Sequence, residues 1–387
     1  MINNIKGKQI LITSTDVMMI QFLVPHVLYL VNNGAKVDVA CSSAEGYKNE
    51  GYGKKIREML PTTVSFFEIR TERTPFSTKN ISGLLDLKKV LEKKKYDFIW
   101  TNEPVMSVMT RIAARKTRKQ GSIVMYLAHG YHFFKGAPKK NWIYYPIENI
   151  MSHFCDLIVV INWEDYYFTK KHFNVPVFHI DGIGLCLDKY SEVDVDYEKK
   201  RNELGIDKDD ILVVSVGELQ HRKNHAVILK AIANLNNTKL KYVICGRGEL
   251  EDDLLKLAKE LKISDQFYLL GHRYDIPEIL GVSDIFAHPS QREGLGIAAI
   301  EAMAAGLPLI TSNVQGIKDY VTNGKNGFSY EPYDVSGFTS GLKRLVQDRE
   351  LRERFGKTNR ECARKYCIEN SVEQLGSIIS KTLRKRK

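Results

Sequence analysis

The stretch Glu293-Gly-Leu-Gly-Ile-Ala-Ala-Ile-Glu-Ala-Met-Ala-Ala-Gly306 joins two carboxylates, a glycine-bearing turn and a strong helix former. The run Asp284–Ser290 before it predicts a short buried strand that ends in a Pro-Ser turn. The alanine-rich run from Ile297 to Ala305 predicts a helix, and Gly306 is the residue that ends it. The sequence therefore predicts a strand, a tight turn and a helix in immediate succession.

The turn in this stretch suits an anionic ligand. Its backbone amides can approach a ligand closely, and a helix N-terminus favours an anion. The residues concerned are Gly294, Leu295, Gly296 and Ile297. Glu293 precedes the helix and Glu301 lies about one turn inside it, so both carboxylates can accept hydrogen bonds from hydroxyls. This pattern predicts a site for a sugar joined to a nucleoside through a diphosphate; the alternative is two solvated surface charges.

The spacing Glu-x7-Glu, followed by the run Ala302–Ile310, resembles the signature of the retaining GT-B glycosyltransferases of family 4. Further segments come in that family's order and at its intervals. They are Val216–Asn224, Cys245–Gly248, Leu270–His272 and Gly316–Gly327. The resemblance is strong over residues 210–330 and looser elsewhere, and it implies a hexosyltransferase.

Length and strand pattern predict two domains. The chain has 387 residues, more than one hydrophobic core usually organises. Apolar strands alternate with helical segments, which predicts parallel sheets covered on both faces. We expect an α/β protein of the GT-B fold, in which two Rossmann-like domains, residues 1–185 and 186–365, have parallel sheets facing each other across a cleft. The resemblance implies that residues 366–387 form a helix that crosses back to the first domain, with a basic tail.

The individual elements follow from periodicity. Strands are expected at 10–13, 36–41, 64–69, 98–100, 123–127, 157–161 and 177–180, then at 211–216, 240–245, 267–270, 285–288 and 309–311. Helices are expected at 18–32, 81–95, 105–118, 147–153 and 164–171, then at 224–235, 249–262, 275–281, 296–305 and 372–383.

The resemblance assigns the donor site to the second domain. Gly217 follows an apolar strand, and Lys223 can reach a diphosphate as a compact charge. The family has an arginine directly after this glycine, whereas this chain has Glu218, so the second cation is expected from Arg222 or Arg247. The remaining donor-side candidates are Gly248, in a Gly-x-Gly loop, and Arg273, in the loop whose backbone contacts the base in the family.

Acceptor-side candidates lie in the first domain. His129 ends a predicted strand, where an imidazole can hydrogen-bond a sugar hydroxyl or assist at the reaction centre, and the family has a functional histidine at the matching strand end. The alternative is a structural histidine, with His132 as the second candidate. The first loop lacks the paired glycines common in the family, so its polar residues are expected to bind acceptor hydroxyls. These are Ser14, Thr15 and Asp16.

Charge is shared unevenly along the chain. Residues 1–185 carry 25 Lys and Arg against 16 Asp and Glu, whereas residues 186–387 carry 32 against 30. No nucleic-acid reading motif is recognisable, so an anionic membrane surface is the favoured partner of the basic first half, and solvated lysine is the alternative.

The block Tyr131–Pro146 mixes aromatic rings with three lysines, which suits a bilayer headgroup region or, alternatively, an aromatic lining of the cleft.

Other patterns bear on compartment and metals. The six cysteines have no metal-ligand spacing, the N-terminus has no signal-peptide core, and no window reaches 18 apolar residues. We therefore expect a cytoplasmic protein, peripherally associated with the inner face of the cell membrane. The strings Asp194-Val-Asp196 and Asp207-Lys-Asp209 lie in charged connecting segments, so no metal and no cofactor is expected.

The resemblance completes the functional prediction. It implies transfer of a hexose or N-acetylhexosamine, with retention, from a UDP-sugar to a sugar on a polyprenyl diphosphate, as in the capsule and exopolysaccharide subgroup. His129 and Glu293 are the catalytic candidates. The alternatives are a sugar-nucleotide epimerase of the same GT-B fold and a non-catalytic subunit that binds lipid-linked sugars.

Overall fold

The computed structural model describes residues 4–43 and 51–385, apart from the Tyr52 side chain. Two parallel sheets organise the chain, with seven and six strands in the described part. The first sheet contains β1 Gln9–Asp16, β2 Lys36–Ser42, β3 Ser65–Glu68, β4 Phe98–Asn102, β5 Ile123–Ala128, β6 Leu157–Val160 and β7 Val177–His179. The second contains β8 Ile211–Val216, β9 Leu240–Cys245, β10 Phe267–Leu269, β11 Ile285–His288, β12 Leu309–Ser312 and β13 Gly327–Tyr330. An α/β fold with two parallel-sheet domains is confirmed.

Helices connect the strands. In the first half they are α1 Val17–Asn32, α2 Tyr52–Glu58, α3 Lys79–Lys93, α4 Pro104–Ala113, α5 Arg115–Lys119, α6 Tyr144–Ser152 and α7 Trp163–His172. Then follow α8 Asp188–Ser191, α9 Tyr197–Glu203, α10 His225–Leu235, α11 Glu251–Glu260, α12 Ile276–Gly281, α13 Ile297–Ala305, α14 Val335–Gln347, α15 Arg349–Ala363 and α16 Ile368–Lys385.

Both sheets have the strand order of doubly wound folds. The first runs β3-β2-β1-β4-β5-β6-β7 and the second β10-β9-β8-β11-β12-β13. In each sheet, the first three strands extend from the centre toward one edge. The next strand then pairs with the other side of the first strand, and the remaining strands extend toward the opposite edge. Ligands of such sheets bind outside the carboxyl ends of the strands at this reversal, between β1 and β4 or between β8 and β11.

The structure differs from the sequence prediction in several places, and the helices α2, α8, α14 and α15 were not predicted. β1 continues to Asp16 and α1 begins at Val17, so no loop separates them where one was expected. The helix can begin there because the Asp16 side chain accepts from the Met19 amide and caps α1. The helix expected at 105–118 divides into α4 and α5. The edge strand β13 was not predicted. Arg384 and Lys385, expected in a solvated tail, belong to α16, and the rest of that tail lies outside the described residues.

Contacts divide the chain into two units. One is Leu185–Cys367, and the other joins the chain up to Gly184 with the chain from Ile368 onward. Within the latter, α16 packs on α1. The buried Ser371 Oγ lies 3.1 Å from His26 Nε2 and donates to the Gly182 carbonyl at 2.7 Å. None of the helices in the described ranges has the length and apolarity needed to cross a bilayer.

The close approach of α15 to the end of α13 leaves no room for a side chain at Gly356, which gives a first testable prediction. A β-carbon on Gly356 would lie 2.0 Å from the Gly306 carbonyl oxygen. We expect Gly356→Ala to lower the free energy of unfolding by about 1–3 kcal/mol through overpacking, although alanine gains about 1 kcal/mol in helix propensity. Urea denaturation followed by circular dichroism measures the change, with the exposed neighbour Lys357→Ala as the control. A stability gain in Gly356→Ala would contradict the prediction.

Candidate donor and acceptor sites

In the second domain, the loops after β8 and β11 meet at the strand reversal. Gly217 follows β8 with φ +153°, and the Lys223 side chain lies over it, because a β-carbon on this glycine would be 3.4 Å from Lys223 Cε. Lys223 Nζ donates to Glu293 Oε2 at 2.8 Å. Both side chains are largely buried, at 11% and 15% exposed. The structure thus joins the two residues that the sequence analysis placed at the diphosphate and the donor sugar.

Electrostatics keep Glu293 ionised. Burial acts to raise the pKa of Glu293, but the Lys223 charge and the nearby His288 ring outweigh it and hold the pKa well below its ordinary value. His288 Nε2 lies 3.4 Å from the same carboxylate oxygen. Burial lowers the pKa of His288, so the ring is neutral at physiological pH. The site therefore contains one buried carboxylate matched by one buried ammonium.

Backbone bonds fix the segment that carries Glu293. Its amide donates to Gln315 Oε1 at 3.2 Å, and its carbonyl accepts from the Gly316 amide at 3.2 Å. Gly316 approaches so closely that a β-carbon there would lie 2.1 Å from the Gly294 carbonyl oxygen. The position of Glu293 is therefore set by the loop after β12 as well as by Lys223.

The N-terminus of α13 lies beside this pair. Gly296 is its N-cap residue, with φ +86° and no side-chain cap, so the amides of Ile297 and Ala298 begin the helix. A β-carbon on Gly296 would lie 2.8 Å from the buried Tyr320 hydroxyl and 2.9 Å from His288 Nε2. Glycine is thus required here both by backbone conformation and by space.

Glu301, on α13, has a partner that sequence reasoning missed. The Tyr190 hydroxyl, from the short helix α8, donates to Glu301 Oε1 at 2.6 Å. Burial raises the pKa of Glu301, and the Tyr190 hydrogen bond opposes this. A carboxylate has further lone pairs, so Glu301 can accept from a ribose hydroxyl as well. No signal in the sequence singled out Tyr190, which lies between β7 and α9.

The cationic candidates differ in position. Arg222 Nη1 lies 4.0 Å from Glu293 Oε2, and its Nη2 donates to Glu218 Oε2 at 2.9 Å. The acidic residue in the family's arginine position therefore binds the arginine four residues later. Arg247 instead lies over Gly271. The Arg273 guanidinium donates to Asp275 and Glu203.

The loop of Gly248 packs against the loop after β8. A β-carbon on Gly248 would lie 2.4 Å from the Leu219 carbonyl oxygen, and the Leu219 amide donates to the Arg247 carbonyl at 3.0 Å. Gly248 thus supports the backbone that leads from Gly217 to Lys223.

His129 directly follows β5 in the first domain. Its Nε2 lies 3.2 Å from Asn102 Oδ1, and Asn102 in turn donates to the Thr13 carbonyl at 3.0 Å. Burial lowers the pKa of His129 to about 4. The ring is consequently neutral near pH 7, so it acts as a hydrogen-bonding group rather than a cation.

The carboxyl end of β1 binds a residue that the sequence analysis did not select. Ser14 Oγ donates to Glu103 Oε1 at 2.8 Å, and the Thr15 amide donates to Glu103 Oε2 at 3.0 Å. Asp16 caps α1 and accepts from Arg73 Nε at 2.8 Å. The three polar residues expected to bind acceptor hydroxyls are therefore bonded within the protein.

Glu103 has unusual geometry for its residue type. Its φ is +47°, a conformation that costs a non-glycine residue about 1–3 kcal/mol. It follows β4 and is bonded to the end of β1, so it lies at the strand reversal of the first sheet. Strained backbone at this place in the fold indicates a functional residue. The only signal in the sequence is a carboxylate directly after a strand and before Pro104.

The rings of the Tyr131–Pro146 block differ in burial, and Trp142 is 39% exposed. Tyr131, Phe133 and Phe134 are buried, and the Tyr131 and Phe133 rings stack at 4.8 Å. His132 contacts the Tyr144 ring at 4.9 Å. These rings form part of the first domain's packing, whereas the lysines of the block are exposed.

In the described ranges 4–43 and 51–385, no three His, Cys, Asp or Glu side chains are grouped closely enough to hold a metal ion. Of the two Asp-x-Asp strings, Asp196 caps α9 through the Lys199 amide, and the Asp207 amide is bonded to Asp210. These aspartates therefore have local structural bonds.

Comparisons with known proteins agree with this geometry. The family model described as glycosyl transferases group 1 matches residues 196–362, and the one described as glycosyl transferase 4-like matches residues 11–162. EpsD of Bacillus subtilis, assigned as a glycosyltransferase, is 34% identical over 83% of this chain and 86% of its own length. The UDP-Gal:α-D-GlcNAc-diphosphoundecaprenol α-1,3-galactosyltransferase of Escherichia coli is 31% identical over 70% of this chain and 72% of its own.

A solved structure has the same fold. Anabaena HepE, crystallised with UDP and glucose, aligns with a TM-score of 0.78 over 97% of this chain and all of its own, at 18% identity. Two parallel-sheet domains of this kind define a GT-B protein. The sequence relatives then specify the family: the chain belongs to the GT-B glycosyltransferases of family 4, and it is a glycosyltransferase.

The burial of Glu103 predicts that the stability of the protein depends on pH near neutrality. Burial raises the pKa of Glu103 to about 7, although bonds from Thr15 and Ser14 act to lower it. A carboxyl group with a raised pKa stabilises the fold fully below its unfolded pKa, and this contribution is lost as pH rises through about 7. We therefore expect the free energy of unfolding of Glu103→Gln, relative to that of the native protein, to rise by about 1–3 kcal/mol from about pH 5 to about pH 8.

Thermal unfolding at the two pH values measures this difference. The exposed carboxylate Glu92, on α3, gives the control Glu92→Gln, whose stability relative to the native protein should change little with pH. A constant difference between native protein and Glu103→Gln across the range would contradict the raised pKa.

Proposed function

We propose that the protein transfers a hexose or N-acetylhexosamine, with retention, from a UDP-sugar to a sugar carried on a polyprenyl diphosphate. The observation that carries this proposal is the buried Lys223–Glu293 pair beside the N-terminus of α13. The E. coli relative is named for a diphosphoundecaprenol-linked acceptor and a UDP-Gal donor, and HepE was crystallised with UDP, which supports both substrate classes.

Donor binding follows from the chemistry of the second domain. An ammonium group has three N–H donors, so Lys223 can bond Glu293 and a diphosphate oxygen together. The α13 amides and helix dipole add a second anion contact. Glu301, with Tyr190, accepts from ribose hydroxyls, and Glu293 accepts from hydroxyls of the donor sugar. The negative charge that develops on the departing diphosphate is stabilised by groups already in place.

Retention is explained by attack from the side of the leaving group. The acceptor hydroxyl oxygen forms a bond to the anomeric carbon as the bond from that carbon to the diphosphate oxygen breaks, and the hydroxyl proton passes to the leaving phosphate. Glu293 stays bonded to Lys223 in this scheme and does not act as a covalent nucleophile, as it would in a retaining glycosidase.

Acceptor recognition is assigned to the first domain. His129, as a neutral imidazole, supplies a hydrogen bond to a sugar hydroxyl. Glu103 and the residues bonded to it at the end of β1 form a polar site beside it in the same sheet edge. We infer that the product is an intermediate of a capsular, exopolysaccharide or other cell-surface glycan, made at the cytoplasmic face of the membrane.

The central test is Glu293→Gln. We expect transfer to fall at least about 100-fold, because the neutral amide no longer matches Lys223 or orients the donor sugar. Initial rates with a panel of UDP-sugars and a synthetic polyprenyl-diphosphate sugar measure this. Glu251→Gln, an exposed carboxylate of the same domain, is the control, and circular dichroism confirms folding.

The same assay separates the rival functions. Product analysis with a UDP-sugar alone detects an epimerase, because no second carbohydrate is needed. An unchanged rate in Glu293→Gln would remove this residue from the mechanism, and turnover of donor without transfer to any lipid-linked sugar would overturn the acceptor class.

A second prediction concerns the arginine that compensates for Glu218. Since Arg222 lies 4.0 Å from Glu293 and Arg247 lies over Gly271, we expect Arg222→Ala to raise the donor KM about tenfold and Arg247→Ala to change it less. Steady-state kinetics with varied UDP-sugar measure both. A larger effect in Arg247→Ala would reverse the assignment.

A further inference from the structure

The outer face of α6 exposes a row of isoleucines. Ile143, just before the helix, is 64% exposed, Ile147 is 45% exposed and Ile150 is 61% exposed. Their spacing of four and then three residues places them on one side of the helix. Glu148 and Met151 face inward and are buried. We name this row the isoleucine stripe; bulky aliphatic side chains so exposed and so aligned are typical of a surface that binds a partner.

Basic side chains lie at both ends of the stripe. Lys139 and Lys140 are exposed just before it. At its other end is α5, with sequence Arg-Lys-Thr-Arg-Lys, in which Arg115, Lys116 and Lys119 are exposed. We name these five residues the basic rim.

The α5 end of the rim is fixed to the C-terminal end of α6. Arg118 donates to the His153 carbonyl at 2.7 Å and to the Cys155 carbonyl at 2.9 Å. The Arg115 guanidinium lies over the Phe154 ring at 4.7 Å. The α5 part of the basic rim therefore adjoins the C-terminal end of α6, the helix that carries the isoleucine stripe.

A surface cavity lies where the two parts meet. It has a volume of about 280 Å³ and is lined by Arg115, Arg118, Lys119, His153 and Phe154. Guanidinium groups bind phosphate oxygens through paired hydrogen bonds. Nearby acids are already bonded to arginines, Glu148 to Arg111 at 2.8 Å and Asp156 to Arg118 at 3.1 Å. Arg118 is taken up by Asp156 and by the His153 and Cys155 carbonyls, so Arg115 and Lys119 are the cations of this cavity that a lipid phosphate would contact.

We propose that the isoleucine stripe and the basic rim dock the first domain on a bilayer that contains anionic lipid. The isoleucines enter the boundary between headgroups and acyl chains, and the basic residues contact lipid phosphates, with one headgroup in the cavity. Apolar side chains flanked by cations match such a bilayer, whose apolar interior is covered by negative charge. Of the Tyr131–Pro146 rings, Tyr131, Phe133 and Phe134 are buried and cannot reach the bilayer, whereas Trp142, directly before Ile143, is 39% exposed.

This inference deepens the proposed function, because a polyprenyl-linked acceptor lies in a membrane, yet it rests on the surface of the first domain alone. It is tested with the full chain and sedimented vesicles of phosphatidylcholine, with or without about one third phosphatidylglycerol. We expect binding to the anionic vesicles only, and weaker binding at high salt.

Two variants test the two parts of the surface. Ile147→Glu with Ile150→Glu should lower the partition coefficient at least about tenfold by removing the apolar contact. Arg115→Glu with Lys119→Glu should lower it by a similar factor through charge repulsion. Matched controls lie on α3, where Ile81 is 67% exposed and Lys88 and Lys89 are exposed: Ile81→Glu, and Lys88→Glu with Lys89→Glu, should bind as the native protein does.

Three outcomes would overturn the proposal. They are native binding by both surface variants, loss of binding in the α3 controls alone, and a change of oligomeric state in Ile147→Glu with Ile150→Glu, which would identify the stripe as a contact between copies of the chain. Transfer to a short-chain, water-soluble acceptor should be unchanged in the surface variants. Failure of the proposed function would instead abolish transfer in the native protein while vesicle binding persists.

Discussion

The ion pair between Lys223 and Glu293 is the constraint on which the second domain's site depends. It links the loops after β8 and β11, the two strands at which the sheet order reverses. Removing either partner from such a buried pair leaves an uncompensated charge and typically costs about 3–5 kcal/mol. Because Glu293 directly precedes the turn into α13, the same bond positions the helix amides. The far end of α13 is held by α15, where Arg360 donates to the Ala305 carbonyl at 2.9 Å.

Each sheet has a carboxylate at its reversal point, and the two carboxylates have opposite electrostatic surroundings. Glu293 is matched by a buried ammonium, so it stays ionised. Glu103 accepts from the Ser14 hydroxyl and the Thr15 amide, and burial raises its pKa to about 7. Glu293 therefore keeps a fixed negative charge, whereas Glu103 changes its charge near pH 7.

Sequence reasoning succeeded where local pattern decides the outcome. The alternation of apolar strands with helices predicted both sheets. The resemblance placed Lys223 and Glu293 in one predicted donor site, and in the structure Lys223 Nζ donates to Glu293 Oε2 at 2.8 Å. It failed where a contact joins distant segments: Glu103 is 89 residues from Ser14, and Tyr190 is 111 from Glu301. The short edge strand β13 and the break between α4 and α5 at Ala114 are only weakly marked in the local sequence pattern. For the Tyr131–Pro146 block, composition did not reveal which side chains the domain buries: Tyr131 and Phe133 are buried, whereas Trp142 is exposed.

The first domain is completed by the end of the chain, since α16 packs on α1 and Ser371 binds both His26 and the Gly182 carbonyl. During synthesis, Leu185–Cys367 emerges from the ribosome before that helix does. Until that helix is present, α1 lacks the surface that α16 covers, although the rest of the first domain precedes Leu185 in the chain. A truncation after Cys367 would accordingly damage the half of the protein that was translated first.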